Sequence, residues 1–314
     1  MKILVTGGGG FIGSNFIEYV LKNYNDQIEA LVNLDCLTYA GNEKNCEEFM
    51  EYEKYSFRHV DITRAPQVND VFRRFKPTHV VHLAAETHVD NSIKNDKIFI
   101  DTNVLGTHSL LTASVNNKVK RFHHVSTDEV YGSLGDTGKF KETTPYDPRN
   151  PYSASKAASD HLVRAYHHTF KLGVTISNCS NNYGPKQHKE KFIPTILNSL
   201  KEDKKIPVYG EGKNVRDWIY VEDHCDALWK ILTEGKTGET YNVGSNFDKT
   251  NIEIIKLICE VLGLDYKSHI NFVEDRKGHD FRYAINSAKI RSSLSWKPKH
   301  SFIKGIKKTI NYYA

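Results

Sequence analysis

Along the N-terminal part of the chain, short apolar runs alternate with longer stretches in which apolar residues recur at helical spacing. Residues 2–6, 28–34, 57–60, 79–85, 121–126 and 173–179 are near-continuous apolar or β-branched runs, the composition of strands buried on both faces. Residues 14–22, 98–115 and 151–170 carry the helical period instead. Asn150-Pro151 predicts the start of the last of these, with asparagine as the cap and proline in the first turn. The polar segment 37–55 predicts a loop with a short helix. Such alternation builds a parallel sheet with helices on both faces. From residue 186 the pattern breaks up, with strands at 206–209, 215–220, 240–243 and 270–273 mixed with a helix at 251–262. The expectation is an α/β fold: a doubly wound parallel sheet over 1–185 and a smaller mixed α/β C-terminal lobe over 186–314, some of whose strands can return to the large domain.

Ligands of such sheets bind outside the carboxyl ends of the strands, and the chemistry of this sequence gathers there. Gly7, Gly10 and Gly13, with Phe11 and Ile12 between the last two, join the first strand to the first helix. Glycines so placed allow a tight turn, close approach of a pyrophosphate, and packing of helix on sheet, while the helix N-terminus presents free N–H groups. This is a Rossmann-like dinucleotide site. Asp35 closes the second strand about 20 residues past Gly13, where a carboxylate accepts bonds from ribose hydroxyls and repels a 2′-phosphate. Leu37 and Thr38 follow, with no arginine to hold such a phosphate, so NAD is favoured over NADP. Asp61 and Ile62 after the third strand suit an adenine contact, with a simple helix cap as the plainer alternative. Ala84 and Ala85 after the fourth are small enough for a cofactor to pass close by.

Proton-transfer chemistry concentrates between residues 126 and 156. Ser126-Thr127-Asp128-Glu129 brings hydroxyls and two adjacent carboxylates to a strand end. Tyr152 and Lys156 lie four residues apart and therefore share one face of a helix. A nearby ammonium stabilises a phenolate and lowers the tyrosine pKa from about 10, which suits it to general-base work. Neighbouring carboxylates raise each other's proton affinity, so one acid and one base coexist near neutral pH. In the C-terminal lobe, Lys191, Arg216, Arg276 and His279 offer charge to a polyanionic ligand, and Asn251 and Asp217 offer polar contacts to a base or sugar; surface ion pairing is the plain alternative for each.

Composition narrows the classes. A chain of 314 residues with 39% hydrophobic and 26% charged residues reads as globular, and a net charge of +5 is modest. Lysines cluster near the C-terminal end without interleaved aromatics, which favours a solvated face over nucleic-acid binding. The five cysteines are scattered, with no C-x-x-C pair, arguing against a disulfide framework or zinc site. No apolar run approaches the ~18 residues needed to span a membrane, and the chain opens directly into a strand rather than a signal peptide, so cytoplasm is expected. His123 and His124 sit on a strand and point to opposite faces, while His161, His167 and His168 have no accompanying ligand set. No metal is expected.

The motifs together resemble those of the extended short-chain dehydrogenase/reductase superfamily and, within it, the dTDP-glucose 4,6-dehydratase family. The resemblance covers essentially the whole chain and is carried by segments 35–42, 84–90, 126–132, 179–185, 214–218 and 275–280, the Asp128-Glu129 pair being its most specific part. The family commonly has arginine where this chain has Asn91 and Asn178, and often an aromatic at Lys186. The resemblance implies NAD-dependent dehydration of a nucleoside-diphosphate glucose, with dTDP favoured and UDP or CDP as alternatives. Tyr152, with Lys156 and Thr127, takes the O4 proton as C4 is oxidised; Glu129 takes the C5 proton while Asp128 protonates the departing C6 hydroxyl; the electron pair then returns to C6. The resemblance further implies His88, Asn181, Lys191, Arg216, Asn251, Arg276 and His279 as substrate contacts, and a homodimer packed through the helices at 98–115 and 152–170. A 4-epimerase or decarboxylase would keep the glycines, Asp35, Tyr152 and Lys156 with less use for the carboxylate pair. A non-catalytic NAD sensor would need neither Tyr152 nor Lys156.

Overall fold

The computed structural model describes residues 1–275 and 280–314, so Arg276 and His279 lie outside the described residues. The six predicted strands of the N-terminal part are β1 (Lys2–Thr6), β2 (Ala30–Asp35), β3 (Tyr55–His59), β4 (His79–His82), β5 (Arg121–Thr127) and β6 (Val174–Cys179). The C-terminal part adds β7 (Asn181–Tyr183), β8 (Ile206–Tyr209), β9 (Val215–Tyr220), β10 (Thr240–Val243), β11 (Asp248–Thr250) and β12 (Ile270–Val273). A seven-stranded sheet runs in the order β10-β6-β5-β4-β1-β2-β3, every pair parallel.

Alternate residues of each strand enter opposite layers, which is why the strands read as continuous apolar runs. Leu4, Val32, Val80, Phe122 and Val174 face the helices Ala65–Phe75, Thr107–Asn116 and Pro151–Phe170 through Phe72, Leu110 and Val163. Ile3, Val5, Leu31, Val81 and Val125 face the helices Phe11–Asn23 and Val221–Glu234 through Phe16, Val20, Leu228 and Leu232. Thus β10 and the Val221–Glu234 helix, both from beyond residue 185, belong to the layers of the large sheet. The rest of the C-terminal part forms the sheets β11-β9-β7 and β12-β8, around a core that includes Ile193, Trp218, Ile254, Ile258 and Phe302.

Three boundaries differ from the sequence pattern for physical reasons. The first helix begins at Phe11 rather than residue 14, because Phe11 and Ile12 in its first turn face a cavity and give no burial periodicity. Strand β4 stops at His82, opposite the last residue of β1, Thr6; beyond it the Leu83 and Ala84 N–H groups donate to Thr6 Oγ1, both at 3.2 Å. The helix expected at 98–115 runs from Lys97 to Asn116 but passes through a π-helical segment, Ile100–Gly106. Among the described residues no helix is long and apolar enough to cross a membrane.

Candidate active site

The carboxyl ends of β1, β4, β5 and β6 open onto one cavity of about 570 Å³. At its floor the backbone leaves no space for side chains. Gly7 has φ +77°, and a Cβ there would lie 2.6 Å from the Ala84 nitrogen. A Cβ on Gly13 would meet the Gly7 carbonyl oxygen at 2.1 Å. Gly10 caps the Phe11–Asn23 helix without a side-chain bond, leaving the first-turn N–H groups to an anion. Asp35 accepts from Gly9 N–H and Leu37 N–H, both at 2.8 Å, and burial raises its pKa although those bonds oppose it. It thereby fixes the loop that borders the cavity. A crowded glycine cradle, an uncapped helix end and a buried acidic strand end fit a dinucleotide.

Gly7, Gly10, Phe11, Ile12, Gly13, Asp35, Thr38, Asp61, Ile62, Ala84 and Ala85 all line this cavity; Leu37 does not, although its neighbours Cys36 and Thr38 do. Thr127, Asp128, Glu129, Tyr152 and Lys156 line the same cavity, as do Asn181 and Lys191. A single turn of 3-10 helix, Asp128–Tyr131, follows β5 and places the two carboxylates, while Thr127 Oγ1 caps it by accepting Glu129 N–H at 3.3 Å. The helix Pro151–Phe170 delivers Tyr152 and Lys156 from a reciprocal cap between Asn150 and Ser153.

Electrostatics separates the two carboxylates. Asp128 is buried, its Oδ2 has no hydrogen-bond partner among the described residues, and burial, Glu129 and Asp217 hold its pKa well above the usual carboxylate range. Burial also raises that of Glu129, but Arg216 and Lys191 pull it back. The first therefore holds its proton more firmly than the second. For Tyr152 the sequence expectation needs correction. Burial and the Glu129 charge push the phenol well above its ordinary pKa, with only the Thr127 bond prominent against them. Lys156 donates instead to the Val125 carbonyl at 2.9 Å and lies 3.5 Å from His124 Nε2.

The predicted substrate residues divide. His88 caps the helix Val89–Lys94 through Nδ1, at 3.3 Å from Asn91 N, and its Nε2 lies 3.7 Å from Glu190 Oε2. Arg216 is buried outside the cavity lining: it donates to the carbonyls of Val215, Asp280 and Phe281 and lies over the Tyr283 ring at 4.2 Å. Asn251 opens the helix Asn251–Leu262 with its N–H on Asn214 O at 3.0 Å, also outside the lining. Asp217, expected to read a base or sugar, is instead fully buried and accepts from Phe247 N–H at 2.8 Å and Ser245 Oγ at 3.1 Å. It is the strand neighbour of Arg216 and so faces the other way.

Two features escaped the sequence reading. Asn103, in the π-helical segment, pairs with both the N–H and C=O of Glu86 at 2.8 and 3.0 Å and donates to Ser155 Oγ at 2.8 Å. It pins the loop after β4 to the helix of Tyr152 and Lys156; an amide among apolar helix positions was the available signal. Lys186 Nζ bridges Glu18 and Glu48 at 3.0 and 2.6 Å, fastening the segment that also carries the cavity residues Gln187, His188 and Glu190.

The family model described as GDP-mannose 4,6 dehydratase matches residues 4–309. The dTDP-glucose 4,6-dehydratase of Neisseria gonorrhoeae is 47% identical over 99% of this chain and 95% of its own length. The crystal structure of DesIV, a dTDP-glucose 4,6-dehydratase from Streptomyces venezuelae with NAD and TYD bound, superposes with a TM-score of 0.96 at 43% identity, covering 100% of this chain and 97% of that one. A UDP-glucose 4-epimerase from Thermotoga maritima has the same fold, with a TM-score of 0.92, at 27% identity over 100% and 98% of the two chains. Nearly the whole chain being matched, with higher identity to the dehydratases than to that epimerase, it belongs to the GDP-mannose 4,6 dehydratase family, on the branch of the dTDP-glucose 4,6-dehydratases.

Proposed function

We propose that this protein is a hydro-lyase that converts dTDP-glucose into the nucleotide-linked 4-keto-6-deoxy sugar, with NAD as a retained cofactor. The observation that carries the reading is the split pair Asp128 and Glu129, set beside Tyr152 in a cavity whose far end is a dinucleotide cradle. NAD supplies the acceptor that makes C4 a ketone and later the donor that makes C6 a methyl group. Tyr152 takes the C4 hydroxyl proton as the phenolate, a form that burial and the Glu129 charge disfavour and that the Thr127 bond and the Lys156 ammonium one helical turn away favour. The ketone acidifies the C5 proton, which Glu129 removes, while Asp128 gives its proton to the leaving C6 hydroxyl. The balance is the loss of one water, with no net change in the cofactor.

Lys191, Asn181, Arg216 and Arg276 are assigned to the substrate's phosphates and sugar, with His88, Asn251 and His279 as further substrate contacts. Arg216 acts from beneath, orienting the segment that begins at Asp280 and offsetting the charge of Glu129. Exposed Ile98, Ile100, Leu105 and Phe170 on the helices of this face support a homodimer packed through them. Five free cysteines support a reducing compartment, the cytoplasm. The test is a mass spectrum of product made from dTDP-glucose deuterated at C4. Loss of one water with deuterium at C6 is expected; a product of unchanged mass means epimerisation and overturns the reading.

A further inference from the structure

Tyr152, Lys156, Asp160 and Arg164 recur at four-residue intervals along the helix Pro151–Phe170 and so form one stripe. The first two reach the cavity; Asp160 and Arg164 do not line it. Asp160 is fully buried, where an isolated carboxylate is costly. Its Oδ2 accepts from the Tyr146 hydroxyl at 2.8 Å, and that oxygen receives bonds from Arg164 at 2.8 Å and Asn178 at 3.1 Å. Its Oδ1 lies 3.2 Å from His124 Nε2, the same nitrogen that lies 3.5 Å from Lys156 Nζ. One imidazole on β5 therefore stands between the buried ammonium and the buried carboxylate, one helical turn apart.

We propose that Asp160 is a positioning residue for the dehydration: acting across His124, it is the counter-charge that keeps Lys156 ionised and held beside Tyr152. The proposal rests on the assignment of Lys156 to that reaction. Burial drives Lys156 toward its neutral form, and the charge of Asp160 is the strongest influence opposing it. His124 cannot carry the charge itself, since burial and Lys156 hold its pKa near 4. The other groups around the pair are His82, kept neutral by burial, Cys179, pushed up to about 12, and Tyr131, raised by burial. Asp160 itself stays ionised because His124, Lys156 and Arg164 outweigh its burial.

The test is the pH profile of kcat for dTDP-glucose dehydration. In Asp160→Asn, Lys156 loses its proton more readily, so the alkaline limb moves to lower pH by roughly one unit or more, the usual effect of a close opposite charge. NAD content and KM stay near those of the unmodified protein, and Asp160→Glu restores the limb. Asp160→Ser, a second uncharged variant, moves the limb the same way as Asp160→Asn and serves if that variant does not fold. A folded, NAD-replete Asp160→Asn or Asp160→Ser with an unmoved limb overturns the proposal. A fully active Lys156→Ala, or an unmodified protein that yields no dehydrated product, fails the underlying reading instead.

Discussion

The two ends of the cavity are built from different materials. The dinucleotide end is made of backbone: Gly7 and Gly13 at van der Waals limits, an uncapped helix terminus, and Asp35 holding two N–H groups. The other end, the proposed reacting end, is made of side chains brought from distant segments, with Asp128 and Glu129 after β5, Tyr152 and Lys156 on a helix, and Lys191 from beyond residue 185. A backbone site tolerates almost no change in shape, whereas a side-chain site can lose its chemistry and keep its shape. Binding of cofactor and chemistry on the sugar should therefore come apart under mutation.

The largest effect is expected from Tyr152→Phe, which removes the proposed first base and should abolish oxidation at C4 while the purified protein keeps its NAD, measured by absorbance after denaturation. Asp128→Asn and Glu129→Gln should each slow product formation by about 10²–10⁴-fold, the range for general acid–base groups, again with full NAD content. Near-normal turnover in both would break the comparison from the reacting side. Gly13→Ala should do the reverse, yielding protein purified without NAD, because the added methyl collides with the Gly7 carbonyl; full NAD content in this variant would break it from the other side.

Smaller effects sharpen the comparison through stability. Burial holds His224 neutral, with a pKa near 3, against an ordinary value of 6.5. A depressed histidine contributes stability that is present above pH 6.5 and lost as pH falls toward its folded pKa, by up to about 1.4 kcal/mol per pH unit. His224→Gln should flatten the acid side of the stability curve between pH 6 and 4, measured by denaturant melts, without moving NAD content. Lys186→Ala should cost least, about 1 kcal/mol, because the nearly buried ammonium is lost while Glu18 and Glu48, both partly exposed, can turn to water, read as a small drop in Tm.

The same division explains what could be read in the sequence. Gly7, Gly13, Asp35, Tyr152 and Lys156 sit at fixed local spacings, so pattern and periodicity bring them out as residues that line one cavity. Arg216 and Asp217 illustrate the opposite case. Both are polar residues of one strand, yet one stacks on Tyr283 and the other is consumed by Phe247 and Ser245, and only the partners of each face decide this. The role of Asn103 could not be read from its place among apolar helix positions alone, because its bonds run to Glu86 and Ser155, far away in sequence. Strand β4 was overestimated because its length is set by where β1 ends. The phenol of Tyr152 departs from expectation because burial and Glu129 were absent from a reading that counted only the nearby lysine.

The return of β10 and the Val221–Glu234 helix to the large sheet has a practical corollary for anyone dissecting this enzyme. A fragment ending at residue 185 would leave β6 as a naked edge, open to pairing with other chains, and would strip the cover from Phe16 and Val20. The two portions are braided rather than strung together, so neither can be swapped, shortened or expressed as a cassette.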